Sequence, residues 1–195
     1  PVQSGVSFSP QPVIQLRDAA NNPVSTPGVV ITAVLSTGAP ALGGIFTATT
    51  NAAGVATFTH LSITGVIGVR TIIFTAPSFT SVTSSSIDVT AGSASQLTYS
   101  VQPASPVNGA AFGIQPALLL RDVSGNPVGG ATITATITGA PAGVSLVGSA
   151  TAITNALTGV ATFSGLGLSG TAGSYTLTFT ASAGALSSGA SAALV

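Results

Sequence analysis

The 195-residue sequence contains no cysteine, methionine, tryptophan, lysine or glutamate. Without cysteine, the chain can form no disulfide bond and can offer no thiolate to a metal ion. Charged residues make up only 3% of the chain, against about 25% in an ordinary globular domain. They are three arginines and three aspartates: Arg17, Arg70, Arg121, Asp18, Asp88 and Asp122.

The scarcity of charge excludes two classes of partner. Three scattered arginines cannot form the cation cluster that binds nucleic-acid phosphates, nor a polybasic patch for an anionic membrane. The densest apolar stretch, 117–120, ends at once in Arg121 and falls far short of the ~20 residues of a membrane helix. Apolar residues are nevertheless 45% of the chain and the net charge is zero, which is typical of a folded protein rather than a disordered one. We therefore expect a folded protein with no nucleic-acid partner and no membrane-spanning segment.

The sequence repeats itself at an interval of about one domain. Residues 8–24 return as residues 112–128, and Gly54–Phe58 returns as Gly159–Phe163. Solenoid repeats are shorter, roughly 20–50 residues, so this interval indicates whole domains in tandem. We predict two domains, 1–92 and 93–195, and expect them to be about two units of a longer array.

Alternating apolar and polar residues predict β-strands throughout both halves. The clearest examples are 29–35, 132–137 and 174–179, which are rich in Val, Ile, Thr, Tyr and Phe. Glycine (24) and proline (12) interrupt the chain at short intervals, as in all-β sandwiches. We predict an all-β fold of two tandem sandwiches with about seven strands each.

The internal match also predicts the core, because equivalent apolar residues should occupy equivalent buried positions. Each phenylalanine is expected to bury ~150–250 Å² in a sandwich interior. The predicted pairs are Phe8 with Phe112, Phe58 with Phe163, Phe74 with Phe179, Leu16 with Leu120, Leu61 with Leu166, and Ile63 with Leu168.

The two halves differ at their beginnings. Residues 90–95 are predicted to form the linker, and 96–103 the first strand of the second domain, whose last strand is 187–195. The first domain opens at Pro1, the equivalent of Pro106, so it lacks its own N-terminal strand. A sandwich without an edge strand exposes unpaired backbone. The missing strand is therefore expected from the continuation of a preceding repeat or from a neighbouring chain.

Two repeated motifs carry a family resemblance. Leu16–Val24 and Leu120–Val128 share Leu-Arg-Asp followed by Asn-Pro-Val, and 50–58 and 154–163 form the companion element. These segments resemble bacterial immunoglobulin-like repeat domains of the invasin and intimin type and the related repeats of large bacterial surface proteins. The resemblance implies an immunoglobulin-like fold, an extracellular or cell-surface location, and a role as a spacer in adhesins and stalks. Such repeats usually carry more charge, so calcium-stiffened linkers are not carried over.

The residues that could bear chemistry lack partners in the sequence. Asp18 and Asp122 each open a turn that ends in Asn-Pro, and a carboxylate accepting backbone N–H groups explains that pattern. Calcium needs six to eight oxygen ligands, and the domains hold too few carboxylates. His60 stands alone, with Gly165 at its equivalent position, and a serine nucleophile needs both a histidine and an acid. We predict no enzymatic activity, no catalytic or metal-binding residues and no cofactor.

The sequence favours a structural role in a bacterial stalk, adhesin or filament: a load-bearing spacer. Its partners would be copies of itself or adjacent repeats, because a nearly uncharged surface packs at little desolvation cost; a freely extended stalk stays open beside dense lateral packing. The alternative is an adhesive domain that recognises a glycan or a surface protein through its end loops. Its candidate residues are Tyr99, Tyr175, Phe46 and Phe79.

Overall fold

The computed structural model describes residues 1–36, 41–140 and 142–195. The chain divides into two compact units, Pro1–Gly92 (unit 1) and Ser93–Val195 (unit 2). Every regular element in the described residues is a β-strand. The all-β prediction is therefore confirmed.

Unit 1 is built from short strands, because turns rich in glycine and proline interrupt the chain every few residues. The strands are β1 (Val2–Gln3), β2 (Val13–Gln15), β3 (Val30–Leu35), β4 (Ala41–Gly43), β5 (Thr47–Thr49), β6 (Val55–Thr57), β7 (Ser62–Thr64), β8 (Gly68–Arg70), β9 (Ile72–Thr75), β10 (Val82–Thr83) and β11 (Ile87–Thr90).

Four sheets form in unit 1. The largest has the order β10-β9-β3-β5, and a second has the order β1-β11-β8. The remaining two are the pairs β2-β6 and β4-β7. All these pairings are antiparallel except β1 with β11, which runs parallel with Val2 opposite Val89.

Unit 2 repeats this plan with longer strands. They are β12 (Ala94–Val101), β13 (Ala110–Ala111), β14 (Ala117–Asp122), β15 (Thr132–Thr138), β16 (Ser145–Val147), β17 (Thr151–Ile153), β18 (Val160–Thr162), β19 (Gly167–Ser169) and β20 (Thr176–Ala181). Its sheets have the orders β12-β14-β18, β13-β19-β16 and β17-β15-β20. The predicted last strand, 187–195, is a series of isolated bridges and backbone hydrogen bonds to β20 and Tyr175 rather than a continuous strand.

Strand alternation places one face of each sheet in the interior. In β15, Ile133 and Ala135 are buried while the threonines between them are more exposed. Successive side chains in a strand point to opposite faces, so the threonine-rich pattern yields one apolar face and one hydroxyl-bearing face. The predicted strands therefore form close to their expected bounds.

Each unit closes around its own apolar core. Of the twelve residues in the six predicted pairs, every one is buried except Phe8, which packs half-buried against the core of unit 1. Its partner Phe112 is covered further, since the preceding Ala104 bridges Ile114 beside it. Unit 1 has no counterpart of Ala104, because Pro1 corresponds to Pro106.

The junction is shorter than the predicted linker. β11 continues to Thr90 and β12 begins at Ala94, so only residues 91–93 lie between strands. The first strand of unit 2 correspondingly starts two residues earlier than the predicted 96–103. Small side chains do not stop a strand here because backbone pairing on both sides holds these residues extended.

Candidate functional site

The largest difference between the two units lies along β2. Its counterpart β14 is paired on both edges, with β12 on one side and β18 on the other. Within the described residues, β2 is paired with β6 alone. The structure thus agrees with the prediction that unit 1 lacks its own N-terminal strand.

The open edge leaves equivalent residues differently exposed. Val13 exposes 57% of its surface, whereas its counterpart Ala117 exposes 6%. Ile14 is half-buried, while its counterpart Leu118 is fully buried. Burial of each position therefore depends on the strand that covers it.

The edge of β2 borders a groove of about 750 Å³ in unit 1, which we call the β2 groove. One wall is β2 and the turn that follows it. The other is formed by the end of β9 and the segment 76–82, with Ile31 also in the lining. Phe74 and Phe79 are its aromatic residues.

Backbone groups of β2 point into this groove. The Pro12 carbonyl accepts a hydrogen bond from Phe58, and the Leu16 N–H donates to Gly54. Alternate residues of an antiparallel strand bond to opposite neighbours. The N–H and C=O groups of Val13 and Gln15 therefore face away from β6, toward the groove.

The turns after β2 and β14 have the geometry that the sequence predicted. In unit 1, one Asp18 oxygen accepts hydrogen bonds from the N–H groups of Ala20 (2.9 Å) and Asn22 (2.8 Å). The other accepts one from the Asn22 side chain at 3.1 Å. These bonds, that of the Asn22 side chain first, lower the pKa of the Asp18 carboxyl.

Asp122 makes the same bonds to Ser124 and Asn126, at 2.8–2.9 Å, but in the interior. Asp122 is 1% exposed because β12 runs alongside it, with Ala94 opposite. Asp18 is exposed because the same place is open in unit 1. Both carboxylates serve a turn.

The arginines bond to backbone carbonyls. Arg17 donates to the Asn21 carbonyl at 2.7 Å, and Arg121 donates to the Gly125 carbonyl of the equivalent turn. Arg70 donates to the carbonyl of Val69 at 3.0 Å. The predicted role of Arg17 and Arg121, as side chains flanking a turn, is confirmed.

His60 is exposed at the end of a strand, as predicted, and its backbone lies in the left-handed region with φ 55°. Gly165 takes the same conformation with φ 72°. Few residues other than glycine adopt this region easily, although histidine is among the more tolerant. The His60–Gly165 exchange therefore follows from backbone geometry rather than from chemistry at the imidazole.

The structure separates the four aromatic candidates for an end-loop binding site. Phe46 is exposed, whereas Phe79 packs half-buried against the core of unit 1 and lines the β2 groove. Tyr99 packs against the core of unit 2, where burial raises the pKa of its phenol. Tyr175 also packs there, and its hydroxyl donates to the Thr171 carbonyl at 2.7 Å.

A smaller cavity of about 230 Å³ lies in unit 2 between Val107, Tyr175 and Leu194. In unit 1 the equivalent of Val107 is Val2, and Val89 is buried opposite it in β11. The cavity thus marks a position that a strand residue fills in unit 1.

Two repeated polar devices escaped the sequence reasoning. Gln11 donates to the Phe8 and Leu61 carbonyls and accepts from the Leu61 N–H, and Gln115 bonds in the same way to Phe112 and Leu166. Their identical place in the repeat, just before Pro12 and Pro116, was the available signal.

The second device is a serine that bonds to the neighbouring strand. The Ser84 hydroxyl accepts from the Ile72 N–H at 3.0 Å, and the Ser191 hydroxyl accepts from the Leu177 N–H at 2.9 Å. These bonds make Ser84 and Ser191 structural equivalents at an interval of 107 residues. The interval differs from that of the strands, which hid the match in the sequence.

In residues 1–36, 41–140 and 142–195, no three or more histidine, cysteine, aspartate or glutamate side chains group where they could hold a metal. Across the same residues, no helix is long and apolar enough to cross a bilayer.

Comparison with solved structures identifies the fold. The chain is similar to FdeC, an Escherichia coli adhesin, with a TM-score of 0.58 and 19% identity. The match covers 100% of this chain and 61% of that chain, so the chain spans less than two thirds of the FdeC structure. InvD of Yersinia pseudotuberculosis matches at 24% identity over 93% of this chain and 50% of that one, with a TM-score of 0.43.

Invasin, a bacterial integrin-binding protein, matches at 19% identity over 90% of this chain and 34% of that one, with a TM-score of 0.35. No protein-family model and no curated protein matches the chain. The chain therefore has the fold of the immunoglobulin-like domains of bacterial adhesins, as its repeated turn and strand motifs predicted.

Proposed function

We propose that the chain is a structural repeat module of a bacterial cell-surface adhesin, stalk or filament, and that it acts as a load-bearing spacer. The fold likeness to an adhesin over the whole chain supports the setting. The observation that carries the mechanical role is the parallel pairing of the first and last strands of unit 1.

Parallel terminal strands resist tension well. When the ends of unit 1 are pulled apart, β1 and β11 are drawn in opposite directions along their length. The hydrogen bonds between them are then loaded together, in shear, rather than opened one at a time. Val2–Ser4 and Val89–Thr90 form this terminal clamp, and the Ser4 N–H donates to the Thr90 carbonyl at 2.9 Å.

Side chains reinforce the terminal clamp. Val89 is buried in the core at 1% exposure, and Ser4 is also buried. The Thr90 hydroxyl donates to the Val2 carbonyl at 3.2 Å, and the Ser4 hydroxyl exchanges hydrogen bonds with the backbone of Gly65. Water therefore has little access to the bonds that bear the load.

Force spectroscopy of the whole chain tests this role. Ser4→Pro removes the N–H that reaches Thr90 and should lower the unfolding force of unit 1 while leaving that of unit 2 unchanged. Gln3→Pro is the matched control, because the alternation of bonds along β1 turns the Gln3 N–H away from β11. Ser4→Ala controls for loss of the hydroxyl.

An unchanged force in Ser4→Pro, or an equal fall in Gln3→Pro, would contradict a load-bearing clamp. Ser4→Ala should lose less force than Ser4→Pro, since it retains the backbone bond to Thr90.

Low charge supports association of such modules with one another. Six charges in 195 residues leave little long-range repulsion and few ions to strip of water on contact. Copies of the chain are then the expected partners, packed head-to-tail or side by side. Sedimentation at increasing concentration should show reversible association, and a single monomeric species at high concentration would contradict it.

An adhesive role is the second candidate, and one observation favours it. Ile45 and Phe46 are adjacent and about half exposed, at 50% and 51%. An exposed apolar pair beside β5 suits contact with a protein or with the apolar face of a sugar. Loss of cell binding in Phe46→Ser, with Val30→Ser as an exposed control, would support this role; equal binding by both would remove it.

A further inference from the structure

The β2 groove lies at the position that the first strand occupies in unit 2. There β12 runs antiparallel to β14, with Leu97 opposite Leu120 and Tyr99 opposite Leu118. We propose that the β2 groove is the binding site of an extended strand of the same chemistry as β12: uncharged, with a leucine and, two residues later, a tyrosine.

The apolar lining matches such a strand. In unit 2, Leu97 is buried and Tyr99 stands edge-on to Phe179. The counterpart of Phe179 is Phe74, which lines the β2 groove together with Ile31. A tyrosine entering in the register of β12 would meet Phe74 as Tyr99 meets Phe179.

Acceptors for the tyrosine hydroxyl are also in place. The Tyr99 hydroxyl donates to the carbonyls of Leu177 (3.0 Å) and Gly189 (3.2 Å). Because Ser84 and Ser191 are equivalent, the counterparts of Leu177 and Gly189 are Ile72 and Val82. Val82 lines the β2 groove and is half exposed.

The backbone of β2 offers the remaining bonds. Val13 and Gln15 face the groove with their N–H and C=O groups, as Ala117 and Leu119 do where β12 pairs with β14. A strand added to an exposed edge gains affinity from such main-chain bonds and specificity from pockets for alternate side chains. Leucine and tyrosine two residues apart fall on the same face of a strand.

The charges at the end of the groove are already occupied. Arg17 donates to Asn21, and Asp18 accepts three hydrogen bonds within its own turn. Neither requires a counter-ion from the incoming strand. β12 itself carries no charged residue, so an uncharged occupant matches the groove.

The repeat also indicates how the strand arrives. In unit 2, β12 lies just N-terminal to Pro106, and Pro106 corresponds to Pro1. A strand joined to unit 1 through Pro1 would reach the groove by the same path. Attachment along one polypeptide gives a high effective concentration, which a separate chain would lack.

Amide exchange in an extended chain tests the proposal. A copy of residues 93–105 is placed directly before Pro1, which reproduces the spacing of unit 2. The matched control carries the same copy with serine in place of its leucine and tyrosine. The amides of Val13 and Gln15 should exchange roughly tenfold more slowly, or slower still, with the intact copy than without it.

The serine control should exchange at nearly the rate of the original chain. Unchanged exchange at Val13 and Gln15 with the intact copy would overturn the proposal, as would equal protection by the serine control. Protection that appears in the original chain and grows with its concentration would also overturn it, because the groove would then take a second copy of the chain.

Discussion

The ring of Tyr99 meets the ring of Phe179 edge-on, with centroids 5.6 Å apart and planes at 87°. Phe179 in turn contacts Phe163, with ring centroids 5.0 Å apart, and the equivalent pair Phe58 and Phe74 lies at 5.2 Å. The two cores thus share one aromatic pair, and unit 2 adds a third ring from its first strand. That ring ties β12 to the interior.

Tyr99→Phe should destabilise unit 2 by about 1 kcal/mol, because it removes the hydroxyl that donates to Leu177 and Gly189 while keeping the ring. Both tyrosines lie in unit 2 and the chain has no tryptophan, so tyrosine fluorescence during urea unfolding reports on this unit. Tyr175→Phe is the control and should cost less, since its bond to Thr171 is exposed. Equal losses would contradict the role assigned to Tyr99.

Alkaline pH should weaken unit 2. Burial raises the pKa of the Tyr99 phenol above its ordinary value of 10.0 in the folded state. The folded state therefore holds the proton more tightly, so stability is full below pH 10 and declines as the pH rises beyond it. Urea unfolding at a series of pH values should show this decline in the original chain and a smaller one in Tyr99→Phe. An identical decline in both would exclude Tyr99 as its source.

Asp122→Ala should cost more than Asp18→Ala. Removing the Asp122 carboxylate leaves the buried N–H groups of Ser124 and Asn126 without their acceptor, at about 2–3 kcal/mol. Water can replace the Asp18 carboxylate because that turn is exposed. Calorimetry of both variants measures the difference, and equal losses would show that β12 does not bury the turn.

Gly165→Ala should destabilise unit 2 by about 1 kcal/mol through backbone strain alone. A Cβ at Gly165 meets no atom within 4 Å, but its φ of 72° suits glycine. Gly189→Ala is the control, because that position is equally open and its φ lies outside the left-handed region. His60→Gly should in turn stabilise unit 1 slightly. Urea unfolding measures the first two changes, and similar losses in both would contradict the strain argument.

Much of this architecture could be predicted because the chain contains its own comparison. Residues that recur at the same interval, such as Phe58 with Phe163, identified the core, and the Asp18 and Asp122 motifs identified the turns. The absence of a counterpart for β12 predicted the open edge of β2. Repetition exposes both what is shared and what is missing.

Other features depend on contacts between residues distant in the sequence. The parallel pairing of Val2 with Val89 has no local signature, because it depends on how the unit closes. The left-handed backbone of His60 was hidden by a non-glycine residue. About seven strands per domain were expected, but the structure has more and shorter ones, because turns and register shifts divide the predicted runs.

The most direct test of the account is the fold of unit 2 by itself. If each unit is a module with its own core, a chain of residues 93–195 alone should give a ¹H–¹⁵N spectrum that overlays its part of the full-length spectrum, apart from residues near Ser93. Shifts throughout the core around Phe163 and Phe179, or failure of the fragment to fold, would contradict two modules that close independently.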